Sequence, residues 1–263
     1  VYEEERLQGI CKYVQNNARA SVRKLCSLFN VSESTVRRDL TELEKRRQLK
    51  RTHGGAICME SVGMEQTYNE KKDCFREEKQ RIAVKAASLI EDGDSVLIDS
   101  GTTTLYLAAQ LAPFRQLTVV TNSINLMQQV SNLPNVTLIS VGGTLRSNTM
   151  ALVGPVTEEN LMRIRVDKAF MATNGLSTDI GLTTPNMLEA STKHKMMQVA
   201  EQVYVLADHS KIGRVSFAKF GALSDVDGCI TSTLISEDQK RELMEKGIQL
   251  YMVDMLQNDG EAS

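Results

Sequence analysis

Two stretches hold side chains able to do chemistry on a partner. The first is Val31–Leu40, V-S-E-S-T-V-R-R-D-L. On a helix starting after Ser32, the side chains of Ser34, Arg38 and Thr41 share one face at about 100° per residue, with Thr35 and Arg37 on its flanks. Hydroxyls and guanidinium groups gathered at the amino end of a helix suit the major groove of DNA. There Arg reads guanine, and Ser or Thr contacts bases or phosphates. The plainer alternative is a solvated helix with two surface arginines. The second stretch is Ser100-Gly101-Thr102-Thr103-Thr104, directly after an apolar run ending at Asp99. Glycine lets backbone approach a ligand closely, and threonines add donors to the free amides of a helix start, so this stretch can cradle an anion. Its plainer alternative is ordinary capping by threonine.

Further loops of the same kind follow other apolar runs. Thr121-Asn122-Ser123, Gly142-Gly143-Thr144 with Arg146, Asn174-Gly175 and Asp208-His209-Ser210-Lys211 together supply amides, hydroxyls, a carboxylate and cations. That set suits a phosphorylated polyol, with charge for the phosphate and polar partners for hydroxyls. Neither a Walker pattern nor G-x-G-x-x-G occurs, so a nucleotide is not indicated and no cofactor is expected.

The elements that position the first stretch follow from periodicity. Leu7, Ile10, Cys11 and Val14 mark a helix over 3–16, and Val22, Leu25, Cys26 and Phe29 mark a second, capped by Ser21. Asn30-Val31 turns into the third, whose buried stripe is Val36, Leu40 and Leu43, with Ser32 as its N-cap. Two helices joined by such a turn form a helix-turn-helix. Leu49–Ile57 then predicts a hairpin wing, with Gly54-Gly55 supplying positive φ angles and Lys50, Arg51 and His53 placed over phosphates or the minor groove. For His53 a hydrogen bond that fixes the wing is the alternative.

Residues 58–75 lack a clear period and predict a linker. Helix resumes near Arg76 with Ile82, Ala86, Leu89 and Ile90 on one side. Strand candidates are 96–99, 117–121, 136–141, 168–173, 203–207, 228–231 and 249–253, and helices fall near 102–111, 123–131, 157–163, 187–201 and 236–246. The alternation predicts an α/β domain with a mostly parallel sheet covered on both faces, which binds ligands outside the carboxyl ends of its strands. The expected plan is 1–57 for DNA, 58–75 as linker and 76–263 as an α/β ligand-binding domain.

Charge divides along the same line. Residues 1–57 hold 12 Lys/Arg against 7 Asp/Glu, and the remainder 19 against 26, a basic head on an acidic body. The head is thus expected to meet a polyanion. Five cysteines without a C-x-x-C pair and three scattered histidines give no metal-ligand spacing. Cys11 and Cys26 are expected core thiols. No apolar run reaches the roughly 18 residues that span a membrane, and a reducing cytoplasm is expected.

The run V-S-E-S-T-V-R-R-D-L-T-E-L-E followed by L-K-R-T-H-G-G-A resembles the amino-terminal domain of the DeoR family of bacterial transcription regulators. D-S-G-T-T-T, T-N-S, G-G-T-L-R, G-L-T-T-P-N and A-D-H-S-K resemble its sensor domain, so the resemblance covers nearly the whole chain. It implies a winged helix-turn-helix followed by a fold similar to ribose-phosphate isomerases. By that resemblance Ser100–Thr104 hold phosphate, Asp99 and Asn122 shape the pocket, and Lys211 pairs with the ligand. Glu189 and Lys193 stand where the family often has an acidic-basic pair; an exposed i,i+4 ion pair is their alternative. His209 and Ile212 depart from the Ser and Phe of A-D-S-S-K-F.

The resulting expectation is a repressor of a sugar-metabolism operon. It binds double-stranded operator DNA as a homodimer or tetramer, answers to a phosphorylated sugar, and has no membrane partner. The competing expectation is a sugar-phosphate isomerase or deaminase with a DNA-binding head, in which Glu189, Asp208 and Lys211 act as acid-base groups.

Overall fold

The computed structural model describes residues 3–255 apart from 18, 47, 53, 59–66 and 73. The chain forms two compact units, one from Val1–Ser61 with Asp73–Phe75, the other from Val62–Lys72 with Arg76–Ser263.

The first unit runs α1 (Glu3–Asn17), β1 (Arg19–Ser21), α2 (Val22–Phe29), α3 (Glu33–Lys45), β2 (Leu49–Thr52) and β3 (Gly55–Cys58). The expected apolar stripes meet in one core, where Leu7, Ile10, Val14, Val22, Leu25, Val36, Leu40 and Leu43 are buried with Leu49 and Ala56. Cys11 and Cys26 are half-buried against it. Ser21 caps α2 by accepting from the Lys24 amide, and Asn30 ends it at φ 51°. Asparagine tolerates that left-handed turn better than most residues. The wing is present, but β1 joins it to give the antiparallel order β1-β3-β2. This corrects the expected role of the glycines. Gly55 does not adopt a positive φ, and a Cβ there would stand 1.9 Å from the Ala20 carbonyl oxygen. Close approach of β1 is what requires glycine. His53 lies outside the described residues.

The second unit begins with α4 (Tyr68–Lys72), a short helix inside the stretch expected to be linker, and α5 (Arg76–Ala87). There follow β4 (Ser95–Ile98), α6 (Thr102–Ala108), β5 (Leu117–Thr121), α7 (Ile124–Val130), β6 (Val136–Ser140), β7 (Thr144–Arg146), β8 (Ala151–Val153), α8 (Pro155–Leu161) and β9 (Val166–Ala172). The chain continues through β10 (Gly175–Ser177), β11 (Gly181–Thr184), α9 (Met187–Gln198), β12 (Ala200–Leu206), β13 (Ala218–Gly221), β14 (Gly228–Ser232), α10 (Glu237–Glu245) and β15 (Gln249–Val253).

All seven expected strands pair in one parallel sheet, ordered β15-β14-β12-β9-β4-β5-β6. Strands buried on both faces are mostly apolar, which is why the central ones stood out as near-continuous runs. Val96 and Ile98 face one core with Ile82, Leu107 and Leu126 of α5, α6 and α7. Leu97 faces the other with Leu161, Met196 and Leu243 of α8, α9 and α10. Two small antiparallel sheets, β7-β8 and β10-β11-β13, were not anticipated. Helix α9 stops at Gln198, three residues short of its expected end, because β12 already pairs with β9 from Ala200.

Candidate functional site

In the first unit Ser32 caps α3 by accepting from the Thr35 amide, and its hydroxyl also bonds those of Ser34 and Thr35 at 2.8 and 2.9 Å. Arg37 and Arg38 are exposed, Arg37 with Glu33 at 3.5 Å. Thr41 is half-buried, donating to the Arg37 carbonyl and accepting from Arg51 Nη1 at 2.7 Å. The Arg51 amide donates to Glu44, so this arginine is bound to α3, while Lys50 is exposed on β2. The face left open to a partner is therefore Ser34, Arg37 and Arg38 with Lys50. One residue outside the sequence expectation fixes it. Asp39, buried on α3, takes a bidentate bond from Arg6 of α1 at 2.6 and 3.1 Å.

In the second unit the candidate residues gather where β4, β9 and β12 end. Asp99, fully buried, takes the Ala172 amide at 3.0 Å and pairs through Oδ2 with the buried ammonium of Lys193. Burial pushes the Asp99 carboxyl up, against the pull of Lys193 and the amide. Its Oδ1 is buried and has no hydrogen-bond partner among the described residues. Lys193 also donates to the Ala172 carbonyl at 3.0 Å. Glu189 is buried as well, and its partners are Arg146 at 2.6 Å, Thr149, and Thr184 at 3.3 Å. The same Thr184 hydroxyl also lies 3.3 Å from Asn174 Oδ1, so its one proton is shared between Glu189 and Asn174. Glu189 and Lys193 are thus not an exposed pair. Helix α9 packs against β9 and β12 of the large sheet and against β11 and β13, and its two inward-facing charges take separate partners.

The Ser100–Thr104 loop is held from behind. Asn122 accepts from the Ser100 amide at 2.9 Å and donates to the Leu152 carbonyl at 3.2 Å. Thr104 is buried and donates to the Asp99 and Gly101 carbonyls, and Thr103 is buried beside it. Gly101 has φ −172°, an extended angle open to any residue. Its glycine is required because a Cβ would stand 2.4 Å from that of Ala172 on β9. Gly143 adjoins Thr157 of α8 in the loop before β7. Ser100 and Thr102 are left half-buried.

Two residues that the sequence reading did not single out complete the cluster. Glu78 and Lys79 stand four and three places before Ile82 on the inward stripe of α5, a placement that could have drawn attention to them. Lys79 Nζ donates to the Lys71 carbonyl at 2.8 Å and to Thr102 Oγ1 at 3.1 Å. Glu78 takes the His209 amide, His209 Nδ1 and the Ser232 hydroxyl at 2.7, 2.8 and 2.6 Å. Burial pushes the His209 imidazole down, but Glu78 more than offsets this and leaves it raised. Burial pushes the Asp208 carboxyl up, and Lys211 with Lys79 more than offsets that, leaving it lowered. Glu78, Asp208 and His209 come close enough to share a cation. Two lysines beside Asp208 and three protein donors on Glu78 suit a hydrogen-bonded ion cluster better.

A winged helix-turn-helix with exposed arginines on its third helix, and a parallel sheet with cations at its strand ends, define a ligand-responsive DNA-binding regulator. The chain belongs to the DeoR family. The model of the DeoR-like helix-turn-helix domain matches residues 6–62, and that of the DeoR C terminal sensor domain matches residues 75–233. HTH-type transcriptional regulator GlpR of Haloferax volcanii is 39% identical over 93% of this chain and 95% of its own. The glycerol-3-phosphate regulon repressor of Escherichia coli is 31% identical over 95% of this chain and 99% of its own. Ribose 5-phosphate isomerase A from Methanocaldococcus jannaschii aligns over 51% of this chain and 52% of its own, at 17% identity and a TM-score of 0.38. The family is one of transcriptional regulators, so the enzyme alternative is set aside. Among the described residues no helix is long and apolar enough to cross a membrane.

Proposed function

We propose that this regulator is a cytoplasmic repressor of a sugar-metabolism operon whose grip on operator DNA is set by a phosphorylated sugar. The observation that carries the effector class is the grouping of Lys79 and Lys211 around Thr102 and Asp208, next to a second set of Asp99, Arg146, Asn174, Glu189 and Lys193. In the proposal the lysines and the hydroxyls of Ser100 and Thr102 take the phosphate. Asp99 Oδ1, Asn174, Glu189 and Arg146 take sugar hydroxyls, and Gly101, Thr103, Thr104, Asn122 and Gly143 shape the backbone around them. The name of the Escherichia coli relative, a glycerol-3-phosphate regulon repressor, supports a phosphate ester.

Ser34, Arg37 and Arg38 then read bases, and Lys50 neutralises phosphate. Ser32, Thr35, Thr41 and Arg51 hold the reading face in shape, and His53 keeps its proposed place in the wing. One chain offers one recognition helix, so a homodimer or tetramer on repeated half-sites is part of the proposal. A thermal-shift screen of paired free and phosphorylated sugars tests it, because a ligand bound only by the folded state must raise the melting temperature. A phosphorylated member should stabilise where its free sugar does not. Equal shifts from both would remove the phosphate from the proposal.

A further inference from the structure

Helix α4 has only five residues, too few to hold its shape alone in water. Beyond its Thr67–Glu70 cap, its anchors to the rest of the unit therefore weigh on its state. The Tyr68 amide donates to the Asn148 carbonyl at 2.7 Å, and the Lys71 carbonyl accepts from Lys79 Nζ at 2.8 Å. Both anchors lead into the candidate ligand site. Asn148 adjoins Thr149, which bonds Glu189, the partner of Arg146. Lys79, 3% exposed, bonds Thr102 through the same ammonium that holds Lys71. Along the chain, α4 lies between stretches assigned to the first unit, Val1–Ser61 and Asp73–Phe75, and so is part of the strap joining the two units.

We propose that Lys79 is shared between the effector's anionic group and the Lys71 carbonyl, so that effector binding loosens α4 and changes the strap joining sensor to DNA-binding head. This rests on the anion site proposed above. A neutral carbonyl is a weaker partner for an ammonium than a phosphate oxygen, because the phosphate adds the attraction between opposite charges. An anion at Thr102 draws Nζ toward itself and away from Lys71. Hydroxyls engaging Glu189 or Arg146 act on the other anchor through the loop carrying Asn148 and Thr149. The effector thereby has a differential interaction with the two states of α4, which any ligand switch requires.

Hydrogen exchange on the full chain tests this, with inorganic phosphate and sn-glycerol 3-phosphate as probes. Either probe should slow exchange over residues 100–105 and speed it over residues 67–72. In Lys79→Met, residues 67–72 should exchange fast without any probe, with exchange over β9 as the check on folding. Slowing over 100–105 with no change over 67–72 would overturn the strap while leaving the anion site standing. Wild-type exchange over 67–72 in a folded Lys79→Met would do the same. No slowing over 100–105 with either probe would withdraw the anion site and the strap together. Should Lys79→Met not fold, the wild-type comparison decides alone.

Discussion

In the proposed function, single side chains of the head divide into readers and holders. Arg38 is exposed on the face proposed to read DNA, so Arg38→Ala should cost roughly 1–3 kcal/mol of specific binding and relax base choice at one position of a selected DNA site. Lys50→Ala should weaken specific and random DNA alike and flatten the salt dependence by about one unit of slope. Anisotropy titrations over a salt series separate the two, and full specific affinity in Arg38→Ala would remove it from base reading. His209 gives a test of pH. Its folded pKa lies above the ordinary 6.5, so the Glu78–His209 contact stabilises fully below that value and fades as pH rises through the raised one. His209→Gln should therefore lower the melting temperature more at about pH 5.5 than at about pH 8.5. A larger loss on the alkaline side would contradict the direction of the shift.

Pairs of elements are held by buried charge. Asp99 at the end of β4 and Lys193 on α9 are both almost wholly buried, so removing one leaves the other uncompensated, a loss of about 3–5 kcal/mol. Lys193→Met alone should fall in that range, and Asp99→Asn with Lys193→Met should lose less than the two single losses added. Additive losses in urea unfolding would mean that the ion pair is not what joins the two elements. Such pairs also mark where the sequence stopped being legible. Periodicity exposed the three head helices and the seven strands, because burying one stripe or both faces leaves a repeating apolar trace. It did not reveal β1, three residues long, or the small sheets rich in Gly and Thr, whose pairing is set by tertiary contact. Motif spacing marked Asp99, Glu189 and Lys193 but not how they pair, since partners such as Arg146 are tens of residues away along the chain. Lys79 and Glu78 sat in a charged run, R-E-E-K-Q-R, whose composition suggests solvent, although two of its members face inward.

At the scale of the whole chain, the proposed function requires that a ligand event in one unit be felt as a change of DNA affinity in the other. Energetic coupling between sites is typically 1–3 kcal/mol, so an effector should shift DNA affinity by roughly 5–150-fold. Lys211→Ala should keep DNA affinity and lose most of that response, because its proposed role is to hold the effector's charge. The most direct measurement is an anisotropy titration of DNA, selected from random sequence with the full chain, in the presence of the phosphorylated sugar that raises the melting temperature and of its free counterpart. The phosphorylated sugar should change the affinity by about tenfold or more, the free sugar should leave it unchanged, and Lys211→Ala should bind DNA without responding. A phosphorylated sugar that stabilises the protein yet leaves DNA affinity untouched, or a free sugar that acts equally well, would contradict a regulator governed by a sugar phosphate.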